Sequence, residues 1–222
     1  MHVFRSVILL FTACGLLGIA NAQNPASGRG GGSGPPASLQ TGGRRGGGRG
    51  GFQTLTLVTT AWPDGGMIPL RYSQAGPEIS PALQWSTPPS GTASFVVIFH
   101  DLDSVVPNST DDLLLWMLWN IPGTATGVAQ GRPDIFELPD GSRQISASGS
   151  RYRGPGASAN GPVHHYVLEL YALDTLLDVQ VPPQGPQDPN PNPQAIRASV
   201  MQGMVGHVRG KAAYMGLFRR PQ

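Results

Sequence analysis

Cysteine is almost absent from this 222-residue chain: Cys14 is the only one. It lies inside a stretch that reads as a removable leader. Met1–Arg5 is short and carries one positive charge, Ser6–Ala20 is mostly apolar, and Ala20-Asn21-Ala22 is a small-x-small cleavage site before Gln23. The run is too short for a membrane anchor, which needs roughly 20 apolar residues and suitable flanks. A lipoprotein reading would use Cys14, but Phe11-Thr12-Ala13-Cys14 lacks the usual leucine and the apolar run continues past the cysteine. Residues 1–22 are therefore expected to be a signal peptide, and the mature protein to be exported, periplasmic or secreted. Without Cys14 it has neither a disulfide nor a thiol nucleophile, so its stability must come from its core.

Residues 23–51 lack acidic side chains and almost all large apolar ones, but hold Arg29, Arg44, Arg45 and Arg49 among many glycines. Such a segment cannot offset the entropy of ordering and is expected to be a disordered Gly/Arg-rich linker. Its RGG-like pieces resemble RNA-binding segments, but they lack interleaved aromatics and follow an export signal. No nucleic-acid partner is expected; weak contact with an anionic membrane surface remains open. Ten of the fifteen basic residues and all thirteen acidic ones fall in 52–222, a net charge of −3. The basic character of the chain thus belongs to the arm and says nothing about the domain.

Catalytic signatures are also missing. There is no Gly-x-Ser-x-Gly, His-Glu-x-x-His or P-loop, so no enzyme activity and no cofactor is expected. What is present over 52–222 is one domain's length of strand-like segments. Phe52–Thr59, Ser94–Asp101, Leu113–Ile121, His164–Leu173 and Ala212–Phe218 are apolar or alternating runs bounded by turn residues. Ile196, Val200 and Met204 recur every four residues behind Pro193, which predicts a helix over 194–205. The Pro-rich stretch 181–193 predicts a surface loop. Together these describe a mainly β, mostly antiparallel domain with one or two peripheral helices.

Polar clusters interrupt the apolar runs at His100-Asp101-Leu102-Asp103, Tyr152-Arg153-Gly154-Pro155-Gly156 and His164-His165-Tyr166. Alternation puts Asp101 and Asp103 on one face if the strand persists, pairs His164 with Tyr166, and turns His100 and His165 away. With Ile68-Pro69-Leu70-Arg71-Tyr72, Ser80-Pro81-Ala82-Leu83-Gln84-Trp85, Trp116 to Gly123, Leu170 to Asp174 and Tyr214 to Phe218, these pieces run in an order that resembles the phosphatidylethanolamine-binding protein family, in its short bacterial or archaeal form. The resemblance implies a large central antiparallel sheet, a smaller sheet and a small anion pocket at one end of the main sheet.

It assigns Asp101 and Asp103 as the pocket carboxylates, with Asp101 orienting the imidazole. His164 and Tyr166 become the His-x-Tyr pair, and Gly154 and Pro155 the pocket wall. Imidazole, tyrosine hydroxyl and turn N–H groups are donors that suit a phosphate, a carboxylate or a phospholipid headgroup. One position departs from the family: Leu115, before Trp116, stands where a second pocket histidine is usual. Losing a charge-assisted hydrogen bond removes roughly 1.5–3 kcal/mol, so weak phosphate binding or a changed ligand is expected. The alternatives are an inhibitor or regulator of an exported protease or other protein, and a metal-assisted hydrolase using Asp101, Asp103 and His164. A protein target and a homodimer remain open as partners.

The leader reading has a direct check. N-terminal analysis of the protein isolated from its own host is expected to begin at Gln23; retention of Met1 or a lipid-modified Cys14 would contradict it.

Overall fold

The computed structural model describes residues 51–181, 183–185 and 188–222. The expected signal peptide, Cys14 and the Gly/Arg-rich stretch up to Gly50 lie outside the described residues.

The strands in chain order are β1 (Gln53–Thr54), β2 (Leu57–Val58), β3 (Gly66–Met67), β4 (Leu83–Trp85), β5 (Ser94–Val105) and β6 (Asp112–Pro122). They continue with β7 (Gly127–Val128), β8 (Arg143–Ile145), β9 (His164–Leu173), β10 (Pro183–Gly185), β11 (Asp188–Pro191) and β12 (Val208–Phe218). A 3₁₀ turn covers Leu70–Tyr72, and the one α-helix among the described residues is α1 (Pro193–Met204). The main sheet runs β1-β12-β9-β5-β6-β8, with β3 also on β12; β2-β4-β7 form a second sheet. The long strands pair antiparallel, as expected, but β1 and β3 pair parallel to β12. These two-residue pairings at a strand edge were too short to leave a periodic signal, and they make the sheet mixed.

Alternation along β5 divides the apolar core. Phe95, Val97 and Phe99 pack on one side of the sheet, while Val96 and Ile98 pack on the other beneath α1. The helix starts where its cap residues dictate. Asn192 Oδ1 accepts from the amides of Gln194 and Ala195 at 3.1 Å each, and Pro193 occupies the first turn, where its missing N–H costs nothing. Ile196, Val200 and Met204 are all buried. Gly206, at φ 82°, lets the chain reverse into β12. The expected loop over 181–193 is instead the β10–β11 hairpin followed by the helix start. Prolines are tolerated there because the two short strands pair only with each other.

The α1 side also carries a chain of charges. His100 Nδ1 lies 2.5 Å from Asp112 Oδ2, and its Nε2 lies 3.6 Å from Glu169. Arg197 on α1 donates to the Asp112 carbonyl at 2.9 Å and brings Nη2 within 2.6 Å of the Asp112 carboxylate. Lys211 closes the row on Glu169 at 2.6 Å. His100 is therefore committed to the face opposite its neighbour Asp101.

Two core tyrosines set a pH limit on the fold. Burial pushes the Tyr152 hydroxyl, which donates to the Tyr72 carbonyl at 2.8 Å, well above the usual phenol range. Burial and then the Asp101 carboxylate do the same to Tyr166. Above pH about 10 the unfolded chain releases these protons while the native state keeps them, so native protein binds more protons and stability falls as pH rises. Denaturant titrations are expected to show this fall beginning near pH 10, with a shallower slope in Tyr166→Phe; equal slopes in both proteins would refute the assignment.

Candidate functional site

Four segments converge at one end of the main sheet: the end of β5, the start of β6, the start of β9 and the Tyr152–Gly161 loop. They enclose a cavity of about 350 Å³ lined by Asp101, Leu113, Leu115, Arg153, Gln74 and His164, with the 156–162 loop as its outer wall.

Asp101 is the fixed point. It is only 3% exposed, and His164 Nδ1 lies 3.0 and 3.1 Å from its two oxygens. A carboxylate can only accept, so Nδ1 carries a proton and the other ring nitrogen, Nε2, is the one left for the cavity. Tyr166 lies beneath, fully buried, its hydroxyl accepting from Ala157 N at 3.3 Å with its own proton held by burial and the Asp101 charge. Phe99 stacks on Tyr152 at 6.0 Å and Trp116 meets the same ring edge-on at 5.5 Å, giving the site an aromatic floor.

A β-bulge determines what faces the cavity from β6. Phe99 pairs with Trp116, but the next residue, His100, pairs with Leu114, so Leu115 is an extra residue on β6. A bulge breaks alternation and re-aims a side chain. Leu115 and Trp116 consequently both lie on the same side, with Leu115 at the cavity wall. The Leu115 carbonyl accepts from Arg153 N at 2.9 Å, which anchors the outer loop to the bulge.

Several expectations are corrected. Asp103 keeps a carboxylate oxygen within 4.8 Å of ligand atoms of Asp101 and His164, but it does not line the cavity, because β5 and β6 shift register after Asp101. Asp103 is exposed and accepts from His165 N at 2.6 Å and His165 Nδ1 at 2.9 Å; these donors, the backbone first, hold its carboxyl below the usual range. Trp116 is packed under the site, fully buried, with its indole N–H donating to Gln144, and does not line the cavity. Gly154 and Pro155 stand behind the lining. Gly154 N donates to Glu78 at 3.1 Å, so it is not a free anion donor. The Gly154 carbonyl accepts from Gln74 Nε2 at 2.8 Å, and Pro155 O accepts from Gln74 N at 3.0 Å. A Cβ at Gly154 would sit 2.5 Å from the Tyr72 carbonyl, so the close approach of these two loops requires glycine. His100 and His165 both face away from the cavity, as alternation requires.

Several liners were not expected from the sequence, Arg153, Gln74 and Leu113 among them. Arg153 lies inside the Tyr152–Gly156 cluster, and that position was the available clue. Gln74 arrives by a tertiary contact about 80 residues away in sequence, and Leu113 belonged to an apolar run with nothing to mark it. A metal fit is poor. Ligand atoms of Asp101, Asp103 and His164 lie within 4.8 Å of one another. Asp101 already accepts from His164 and Asp103 N, and Asp103 from His165, so a cation there would compete with these donors for the carboxylate lone pairs.

Residues 58–219 match the model of the family described as phosphatidylethanolamine-binding protein. A UPF0098 protein of Methanothermobacter thermautotrophicus is 39% identical over 168 residues, covering 75% of this chain and 99% of that one. LppC of Mycobacterium tuberculosis, whose name marks it a candidate lipoprotein, is 31% identical over 75% of this chain and 73% of its own. The crystal structure of CT736 from Chlamydia trachomatis, titled a homolog of the same family, superposes with a TM-score of 0.58 at 25% identity, over 75% of this chain and 98% of that one. The match spans 162 residues, and two relatives exceed 30% identity over three quarters of the chain, so the chain belongs to the phosphatidylethanolamine-binding protein family.

Proposed function

We propose that this protein is an exported, non-enzymatic binding protein for a small anionic ligand, a phosphate ester, carboxylate or phospholipid headgroup, held in the cavity beside His164. The observation that carries this reading is the Asp101–His164 pair. A buried carboxylate takes one side of the imidazole, so the other side is presented to a cavity of headgroup size. Asp101 acts on the imidazole and does not itself contact the anion. Tyr166, fully buried and not among the cavity liners, packs beneath the pair as support and does not reach the anion, contrary to its expected place as a ligand-binding residue.

Nothing in the arrangement activates a nucleophile. Ser104 and Ser158 line the cavity, but the one imidazole there has its proton-bearing nitrogen fixed on Asp101, and no hydrogen bond joins it to either hydroxyl among the described residues. The leader-like first 22 residues support export, as does the naming of the mycobacterial relative.

Titration calorimetry with phosphoethanolamine and acetate tests the reading. Replacing His164 with Gln is expected to weaken binding about ten- to a hundredfold, the equivalent of one charge-assisted hydrogen bond. Absence of heat with every anionic probe, or turnover of phosphoethanolamine, would overturn it.

A further inference from the structure

Six basic side chains are half-buried among the described residues: Arg132, Arg143, Arg153, Arg197, Arg209 and Lys211. Five of them face a carboxylate within 4.0 Å. Arg153 does not. Its Nη1 donates to the neutral Ser148 hydroxyl at 2.9 Å, and its Nε is buried with no acceptor. The one carboxylate lining the same cavity, Asp101, is taken by His164. A guanidinium withdrawn from water without a counter-charge is costly, and the fold has met that cost at every comparable position except this one.

From this we infer that Arg153 is the anion-binding cation of the cavity. It stands in for the histidine absent at Leu115, and it selects a phosphoryl or carboxylate anion that carries a short apolar substituent. The inference rests on the anion-pocket reading above and names the ligand class of that site. Position supports it. Arg153 N donates to the Leu115 carbonyl, so the bulge that places leucine on the wall also places the arginine beside it. The cavity then has two donors of different kind, the Arg153 guanidinium and the His164 imidazole. Leu113, Leu115, Ala157 and Pro162 supply apolar surface between and around them. A guanidinium binds planar or tetrahedral oxyanions well and keeps its charge at every physiological pH. A bare phosphate dianion would satisfy the donors but leave the leucines wet, whereas an alkyl ester covers them.

The test uses calorimetry on the full-length protein with three probes: inorganic phosphate, butyl phosphate and glycerophosphoethanolamine. Butyl phosphate is expected to bind at least about tenfold more tightly than inorganic phosphate and more tightly than glycerophosphoethanolamine; tighter binding of either polar probe overturns the selection for an apolar substituent. Arg153→Gln is expected to weaken butyl phosphate binding about ten- to a hundredfold. A second measurement needs no variant: saturating probe should protect Arg153, but not exposed Arg219, from an arginine-directed dicarbonyl, read by peptide mass mapping. Unchanged affinity in Arg153→Gln, or Arg153 modified equally with and without probe, overturns this inference and leaves the anion pocket standing. Wild-type protein that binds none of the three probes overturns both.

Discussion

A carboxylate that is 3% exposed must be given donors, and the geometry around Asp101 follows from that requirement. It sits where β5 stops running straight. Up to Asp101 the strand pairs regularly with β9; beyond it, residues 102–104 arch away from β6. The arch turns Asp103 N back onto Asp101 Oδ1 at 3.0 Å, and β9 delivers His164 and Tyr166 from the neighbouring register. Each donor satisfies the buried charge and in doing so is itself fixed. The imidazole can turn no further without leaving the carboxylate unpaired, so one nitrogen stays directed at the cavity. Rigidity of the site is thus a by-product of satisfying one buried anion.

The β6 bulge supplies the second constraint. An uninterrupted strand would send Leu115 and Trp116 to opposite faces, and the cavity would lose either its wall or its floor. With the extra residue both face the same core, tryptophan underneath and leucine at the rim. The free carbonyl of the bulge then binds Arg153 N, and Gly154 packs against the Tyr72–Ser73 backbone too closely for any side chain. The outer loop is thus held at its start by backbone contacts at Arg153 and Gly154, which leaves side chains available for the cavity.

The long strands and the helix with its four-residue apolar repeat were legible in the sequence because each rests on a local period, whereas the Asp101–His164 pair, which joins two strands, was implied only by the family resemblance. Failures occurred where a period is broken. Asp103 lies near Asp101 as alternation suggested, but past the register shift it turns to His165 and does not line the cavity. Gly154 was credited with a donor that Glu78, at φ 51° in a distant loop, had already taken. Gln74 and the parallel edge strands β1 and β3 depend on contacts between distant segments, which leave no local pattern. Arg153 was visible as a residue but not as a cation without a partner; that needs the positions of every carboxylate.

The two faces of the sheet offer an internal comparison. His100–Asp112 on one face and His164–Asp101 on the other are the same chemical pair, each at the end of a strand. On the α1 face the pair is closed from every side: Arg197 reaches Asp112, Glu169 approaches the free imidazole nitrogen, and Lys211 balances Glu169. The cluster neutralises itself, and nothing is left for a ligand. On the cavity face the second carboxylate, Asp103, has turned outward to His165, and the basic residue alongside, Arg153, has no acid to meet. A histidine–carboxylate pair is therefore no mark of a binding site in this fold. The distinction lies in the surrounding charges: one face completes its own neutralisation, and the other leaves a cation and a cavity together.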